Sequence, residues 1–250
     1  MTKREIRSEL GWSTSDRIVV RGKDLPGEIL GKVNLGDMAF LELTGRLPNP
    51  KESTLFNAMV VTLVEHGVTP SAIVARLTYL GAPEAMQAAV AAGLCGLGSV
   101  FVGSTEGVAK LLSESIKVKD DQTIDLRAIA KQIVSDHKRI PGLGHPIHKP
   151  VDPRTVRLFQ IAKETGFYGY YCQLIEAVGK EKKLVVNATG AIGALACELD
   201  LDWRAVRGVG VMARAVGLVG HLLEEARQPM AEEIWHRVEE EASAHLRPKK

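Results

Sequence analysis

The sequence predicts an all-α protein. Apolar residues recur at three- and four-residue intervals through most of the chain, helix-starting and helix-breaking residues bracket those stretches, and Ile18-Val19-Val20 is the only convincing strand. That strand belongs to a small edge ribbon ahead of Arg21-Gly22. Leu35 to Leu43 and Thr54 to His66 follow as helices, with Pro48-Asn49-Pro50 breaking the chain between them. Thr69 before Pro70 starts a helix to Leu80, since a β-hydroxyl caps well and proline suits the first helical position. Pro83 to about Gly98 is rich in Ala and Gly, a composition that lets helices approach closely. Ile124 to Lys138, Pro153 to Thr165, Gly169 to Glu181 and Asn187 to Glu198 are four more. Asp202 caps a long helix from Trp203 to about Ala226, and Ala231 to His245 closes the chain, making about ten helices in all.

Composition narrows the function classes. A chain of 250 residues, 45% of them hydrophobic, buries a substantial core in one domain or two. The net charge of +2 and the 5% aromatic content argue against a nucleic-acid platform. Cys95, Cys172 and Cys197 are odd in number and widely spaced, which argues against both a disulfide framework and a zinc site, so no metal and a reducing compartment are expected. No continuous apolar run approaches a bilayer span and the N-terminal residues lack the apolar core of a signal peptide, so a cytoplasmic location is expected.

The segment from Arg139 to Arg154 is where chemistry concentrates: two Gly, four Pro, two His, two Arg and a Lys in sixteen residues. Gly142 and Gly144 let the backbone come close to a ligand, and the prolines stiffen the loop. His145 can exchange protons near neutral pH. Arg154, directly after Asp152-Pro153, falls in the first turn of the next helix and is placed to grip a carboxylate with two prongs.

Seven segments in order carry a family resemblance: Val20 to Leu25, Phe40 to Pro48, Glu65 to Ser71, Ala91 to Leu94, Pro141 to Arg154, Asn187 to Gly190, and Ala213 to His221. Together they resemble the citrate synthase superfamily, close to the citryl-CoA lyase domain at the C-terminus of ATP-citrate lyase and to short free-standing citryl-CoA lyases. The resemblance implies a two-domain helical fold, with residues 1–108 and 212–250 forming a large dimerisation domain and 109–211 a small CoA-binding domain. It implies a homodimer or higher homo-oligomer, whose partners are an acyl-CoA and a di- or tricarboxylic acid rather than nucleic acid or a membrane. Gly208, Gly210, Gly217 and Gly220, on the helix that such proteins bury at a two-fold interface, fit that expectation. The implied chemistry makes or breaks a carbon–carbon bond between an acyl-CoA and a keto acid such as oxaloacetate, with coenzyme A as the only cofactor, carried as acyl-CoA.

Position by position, His66 resembles the histidine that binds the keto acid or the citryl hydroxyl. His145 resembles the one that polarises the carbonyl or takes the hydroxyl proton, and Arg154 and Arg214 resemble the substrate-carboxylate arginines. Pro141, Gly142, Leu143 and Gly144 resemble the loop whose backbone receives the adenine of CoA, and Lys149 sits where a basic residue meets a CoA phosphate. On this reading Gly142→Val weakens CoA binding without unfolding the protein. Arg227, before Gln228-Pro229, loosely matches a segment that reaches into the partner subunit's site. Plainer readings stand beside these. His66 at a helix end is also stabilised by the helix dipole, His148 is either a CoA contact or a solvated loop residue, and His221 suits packing or an interface.

Three departures qualify the resemblance. The family's catalytic aspartate lies in Asn-Val-Asp, but here Asn187-Ala188-Thr189 stands, and threonine is not a carboxylate base. A histidine of citrate synthases is replaced here by Val102; the lyase branch also lacks that histidine, so its loss points towards the lyases. The usual His-Arg pair reads His145-Pro146, which points to a different distribution of substrate carboxylates. Glu106, in the loop expected after Val102, a water held by Thr189, or an acid on the substrate are the candidates to replace the aspartate. Two functions follow: a citryl-CoA lyase-like enzyme, or a CoA-thioester-binding relative that has lost catalysis and serves as a scaffold or regulatory partner.

Overall fold

The computed structural model describes residues 5–116 and 124–247; Met1 to Arg4, part of the N-terminal stretch considered above, lie outside them. Among the described residues the fold is helical, with one three-stranded antiparallel ribbon: β1 (Gly11–Ser13), β2 (Ile18–Val20) and β3 (Lys23–Asp24). β1 and β3 are only three and two residues long, which is why only β2 is evident in the sequence. Asp24 then caps a single π-helical turn, Leu25–Ile29, by accepting from the Gly27 amide.

The helices are α1 (Leu35–Thr44), α2 (Pro50–Val64), α3 (Pro70–Gly81), α4 (Met86–Cys95), α5 (Gly103–Ser115), α6 (Leu126–Asp136), α7 (Pro153–Thr165), α8 (Tyr170–Lys182), α9 (Ala188–Glu198), α10 (Trp203–Arg227) and α11 (Ala231–Ser243). α2 begins four residues before the predicted start. Asn49 accepts from the Lys51 and Glu52 amides, while the Glu52 side chain accepts from the Asn49 amide, a reciprocal cap that puts Pro50 at the first helical position. Thr69 has the extended backbone of a cap before α3, but its hydroxyl makes no capping bond and lies 3.2 Å from that of Ser71. α5 is a helix that the sequence periodicity does not predict. It starts without a side-chain cap at Val102 and carries Gly103 and Gly107 in its first turns, so its start is silent in sequence.

α9 is the central element. Eight of its eleven residues are buried, and α5, α7, α8 and α10 pack around it. Glycine sets the spacing at one crossing: a Cβ on Gly193 would stand 2.6 Å from Val108 Cβ of α5. The main core joins Phe40, Phe56 and Met59 to Leu112, Leu158, Ile175, Ile192 and Leu195, and Phe40 meets Phe56 edge-on at 5.2 Å. A second cluster, Ala72, Ala75, Ala89, Leu218 and Leu222, joins α3, α4 and α10.

α10 has the length and composition of a bilayer span. Its buried Arg214, His221 and Glu225, turned toward neighbouring helices, identify it as a core helix instead. Two of its four glycines are consumed inside the chain: a Cβ on Gly210 would meet Val102 at 2.3 Å, and one on Gly217 would meet the Val64 carbonyl at 2.0 Å, whereas Gly208 and Gly220 face open space. The positions 108/109 and 211/212 fall within α5 and α10, so a domain division there runs through two continuous helices.

Arg76 of α3 is fully buried. It donates to Glu225 at 2.7 Å, to Glu224 and to His221 Nδ1 at 2.9 Å, tying α3 to α10. Glu225 also accepts from the Met230 and Ala231 amides, which sets the turn into α11. Because removing one partner strands a buried charge, Arg76→Met is expected to destabilise the fold by about 3–5 kcal/mol. The double variant Arg76→Met/Glu225→Gln recovers part of that loss, and guanidinium unfolding midpoints measure both; a neutral Arg76→Met would show that the network carries little stability.

Candidate active site

A cavity of about 710 Å³ opens between the end of α2, the α4–α5 connection, the 140–147 loop and the first turns of α7 and α9. Of the residues singled out in the sequence, His66, Pro141, Gly142, Leu143, Gly144, His145, Arg154, Thr189 and Arg214 all line it. Glu106, Lys149 and Arg227 do not. Glu106 sits in the first turn of α5, not in a loop, with its carboxylate held by Arg207 of α10. Arg227 is exposed at the last residue of α10, and Lys149 is exposed in the loop.

His66 stands two residues past α2, in a turn that Glu65 builds. One carboxylate oxygen of Glu65 accepts from the His66 amide at 2.8 Å and the Gly67 amide at 2.6 Å. His221 Nε2 meets the Glu65 carboxylate at 3.0 Å, while His221 Nδ1 faces the Arg76 guanidinium. An arginine only donates, so His221 accepts through Nδ1 and donates through Nε2, and one neutral tautomer satisfies both contacts. The His66 turn is thus moored to the buried Arg76 through Glu65 and His221, a role that neither periodicity nor spacing announced. Desolvation would raise the Glu65 carboxyl, but the His66 amide, His221 and the Gly67 amide outweigh it and hold it below its ordinary range.

The loop bearing His145 is stitched to the segment before α9. Gly144 N donates to the Val185 carbonyl at 2.7 Å, Asn187 N to the Gly142 carbonyl at 3.0 Å, and Asn187 Nδ2 to the Gly144 carbonyl at 2.7 Å. Gly142 and Gly144 both have positive φ, +78° and +79°. A Cβ on Gly142 would lie 2.5 Å from Gly190 Cα and 2.5 Å from Val108 Cγ2. Valine there displaces the loop from α9, which corrects the expectation that Gly142→Val leaves the fold intact. The Leu143 N–H and C=O take no part in the pairing.

The tautomer of His145 follows from its contacts. Its Nδ1 accepts from the Ile147 amide at 3.1 Å and the His148 amide at 2.9 Å, so the ring hydrogen is on Nε2. That Nε2 lies 3.3 Å from Arg154 Nη2, and the two donors face each other. An oxygen seated beside both would accept from both.

Arg154 is aimed by Asp152, which is fully buried. Its two oxygens accept from Arg154 N at 3.0 Å, Arg154 Nε at 3.0 Å, Arg154 Nη2 at 2.8 Å and the Ala188 amide at 3.0 Å. Burial would raise this carboxyl, but the Arg154 contacts and the two amides keep it below its ordinary value. Arg214 is 7% exposed; its Nε and Nη1 are buried without a hydrogen-bond partner among the described residues, and desolvation lowers its pKa against the pull of Glu65. Thr189 donates to Asn187 Oδ1 at 2.7 Å, beside the Gly190 amide that the same oxygen caps.

The ring nitrogens of His66, His145 and His148 lie within 4.8 Å of one another, and the His148 ring stacks on His145 at 4.4 Å. That spacing is short enough for a shared cation. His145 opposes one, because its Nδ1 lone pair is engaged and the Arg154 charge adjoins its Nε2. Desolvation, then Arg154, His148 and Arg214, lower the His66 pKa; desolvation, His148 and Arg154 lower that of His145. Both shifts favour the neutral imidazole.

The chain is similar to several known proteins. Residues 34–237 match the family model described as citrate synthase, C-terminal domain. A citryl-CoA lyase structure from Hydrogenobacter thermophilus is 34% identical with a TM-score of 0.79, covering 89% of this chain and 87% of that one. The ATP citrate lyase of Methanothrix soehngenii, solved with citrate and coenzyme A, shares the fold at 20% identity and a TM-score of 0.74, over 91% of this chain and 40% of that one. Citrate synthase 2 of Bacillus subtilis is 25% identical over 190 residues, covering 73% of this chain and 50% of its own length. The chain spans half or less of the curated relatives that match it here.

The lowered pKa values fix the direction of acid sensitivity. A histidine whose folded pKa lies below its ordinary value of 6.5 takes up a proton on unfolding, so its contribution is present above that value and is lost as pH falls through the folded pKa. Asp152 acts in the same direction lower down, its contribution present above the ordinary 3.8 and lost as pH falls through its folded pKa. Unfolding free energy should therefore decline as pH drops below about 6.5, and imidazole NMR should show His66 and His145 titrating below that point; ordinary midpoints for both rings would contradict the geometry.

Proposed function

Because the chain belongs to the citrate synthase family, we propose that it is a citryl-CoA lyase-like enzyme, cleaving a 3-hydroxy-3-carboxyacyl-CoA into acetyl-CoA and a 2-keto acid. The observation that carries this reading is the convergence of His66, His145, Arg154 and Arg214 on one cavity, with the Nε2–H of His145 and the Arg154 guanidinium directed toward the same point. The reaction needs a base for the C3 hydroxyl, donors for the oxygen as it becomes a carbonyl, and a clamp for carboxylate. His66, neutral and exposed to the cavity, is the base. His145 is the donor rather than the base, since its acceptor nitrogen is occupied. Arg214 is the carboxylate clamp. As the hydroxyl proton leaves, the C2–C3 bond breaks and its electron pair passes to C2 as the thioester enolate. Return of a proton to C2 completes acetyl-CoA.

The free N–H and C=O of Leu143 are the groups offered to the adenine of CoA, and exposed Lys149 meets a phosphate. Exposed Val216, Val219 and Leu223 on α10, beside the open face of Gly220, form the surface on which two copies join. The second reading, a thioester-binding protein without catalysis, is favoured by one observation: no Asp or Glu lines the cavity among the described residues, and Thr189 stands at the family's aspartate position.

Incubation with 3-hydroxy-3-carboxyacyl-CoAs, following acetyl-CoA and keto acid by mass spectrometry, decides between the two. Cleavage is expected, with Thr189→Asp raising citryl-CoA turnover by on the order of 10²-fold, the range of a positioned acid, and Glu106→Gln leaving it unchanged. Thioester binding with no turnover in either protein would transfer the case to the binding reading. Sedimentation should give at least twice 27.1 kDa at micromolar concentration, and a monomer there would remove the α10 interface.

A further inference from the structure

The charges around the cavity do not match a citryl group. Arg154 and Arg214 are the only guanidinium groups lining it among the described residues, and no lysine does. Arg154 is already neutralised by the buried Asp152 through two parallel bonds. Of the two, it is Arg214 that has buried donors without partners, Nε and Nη1, in a side chain more than nine-tenths buried. Beside the loop histidine stands Pro146, which brings no charge. Much of the remaining lining is apolar: Leu63, Leu97, Val100, Phe101, Val102 and Ile140. A citryl group carries two free carboxylates. One suits Arg214, and the other would be desolvated without a counter-charge, which costs several kcal/mol.

We propose that the thioester cleaved here carries one free carboxylate, held by Arg214, and an uncharged alkyl substituent at C3 where a citryl group has its carboxymethyl arm. The proposal rests on the carbon–carbon cleavage reading and narrows it to products that are 2-keto monocarboxylates. The step balances without a co-reactant. In R–C(OH)(COO⁻)–CH2–CO–SCoA the hydroxyl proton is removed and the C3–O bond becomes a carbonyl. The C2–C3 pair moves to C2, and one proton returns there, giving R–CO–COO⁻ and CH3–CO–SCoA.

Three thioesters that differ only in R test it on the intact protein: methyl (3-hydroxy-3-carboxybutanoyl-CoA), propyl (3-hydroxy-3-carboxyhexanoyl-CoA) and carboxymethyl (citryl-CoA). The kcat/KM of an alkyl compound is expected to exceed that of citryl-CoA by on the order of a hundredfold, the ratio set by one stranded buried charge. Phe101→Arg, at an exposed lining position, supplies a cation and should shift the ratio toward citryl-CoA, whereas Phe101→Leu should not. Citryl-CoA cleaved as well as or better than both alkyl compounds overturns the proposal and leaves the lyase reading standing. If none is cleaved, the lyase reading fails, and calorimetric Kd values for the same thioesters decide the point: tighter alkyl binding upholds the single-carboxylate site, and equal or tighter citryl-CoA binding overturns it.

Discussion

The Asp152 carboxylate is the interaction on which the site's geometry turns. Wholly buried, it caps α7, receives the first amide of α9 and grips the Arg154 side chain at both ends. Two helix N-termini and one guanidinium are thereby referenced to a single anion. The arrangement is stable because four donors compensate the charge that burial would otherwise expel. From it the rest follows in space: Arg154 reaches His145, the start of α9 carries Asn187 and Thr189 to the cavity, and Asn187 holds the 142–144 loop through the Gly144 carbonyl. The site is a by-product of how two helix N-termini share one buried carboxylate.

A second mooring works from the opposite side. Close approach of α10 to the end of α2, which Gly217 permits by lacking a Cβ, places Glu65 within reach of His221. Arg76 then fixes His221, and Glu65 fixes the turn that presents His66. The two cavity imidazoles are thus held by separate networks, one rooted in α7 and α9 and the other in α3 and α10. Their rings stand 5.9 Å apart, centre to centre.

Much of this was legible in the sequence where the signal was local. Asp202 before Trp203, and Asp152-Pro153 before a periodic run, mark helix starts that the structure keeps to the residue. The lining histidines and arginines were legible because their spacing and neighbours resemble a family pattern. What was illegible is long-range or unmarked. Arg76 and Glu225 lie 149 residues apart, and no spacing rule pairs them. α5 opens on Gly103 with Val102 where a capping side chain would stand, so Glu106 read as a loop acid when it belongs to a helix and an ion pair. The first turn of α2 hid behind Pro48 and Pro50, which read as a break although Asn49 and Glu52 form a reciprocal cap. The role of Asp152 was hidden because a residue that reads as a helix cap gives no hint that its second oxygen belongs to another helix.

The facing donors of His145 and Arg154 bear on the protein's lifetime in a cell. Two hydrogen-bond donors 3.3 Å apart repel, and an oxygen that accepts from both replaces that repulsion with attraction. A ligand bound only by the folded chain withdraws molecules from the unfolding equilibrium in proportion to its concentration over its Kd. Proteolysis acts on the unfolded fraction, so abundance follows occupancy. A chain built this way is retained while a ligand that fills this gap is plentiful and cleared when the supply fails.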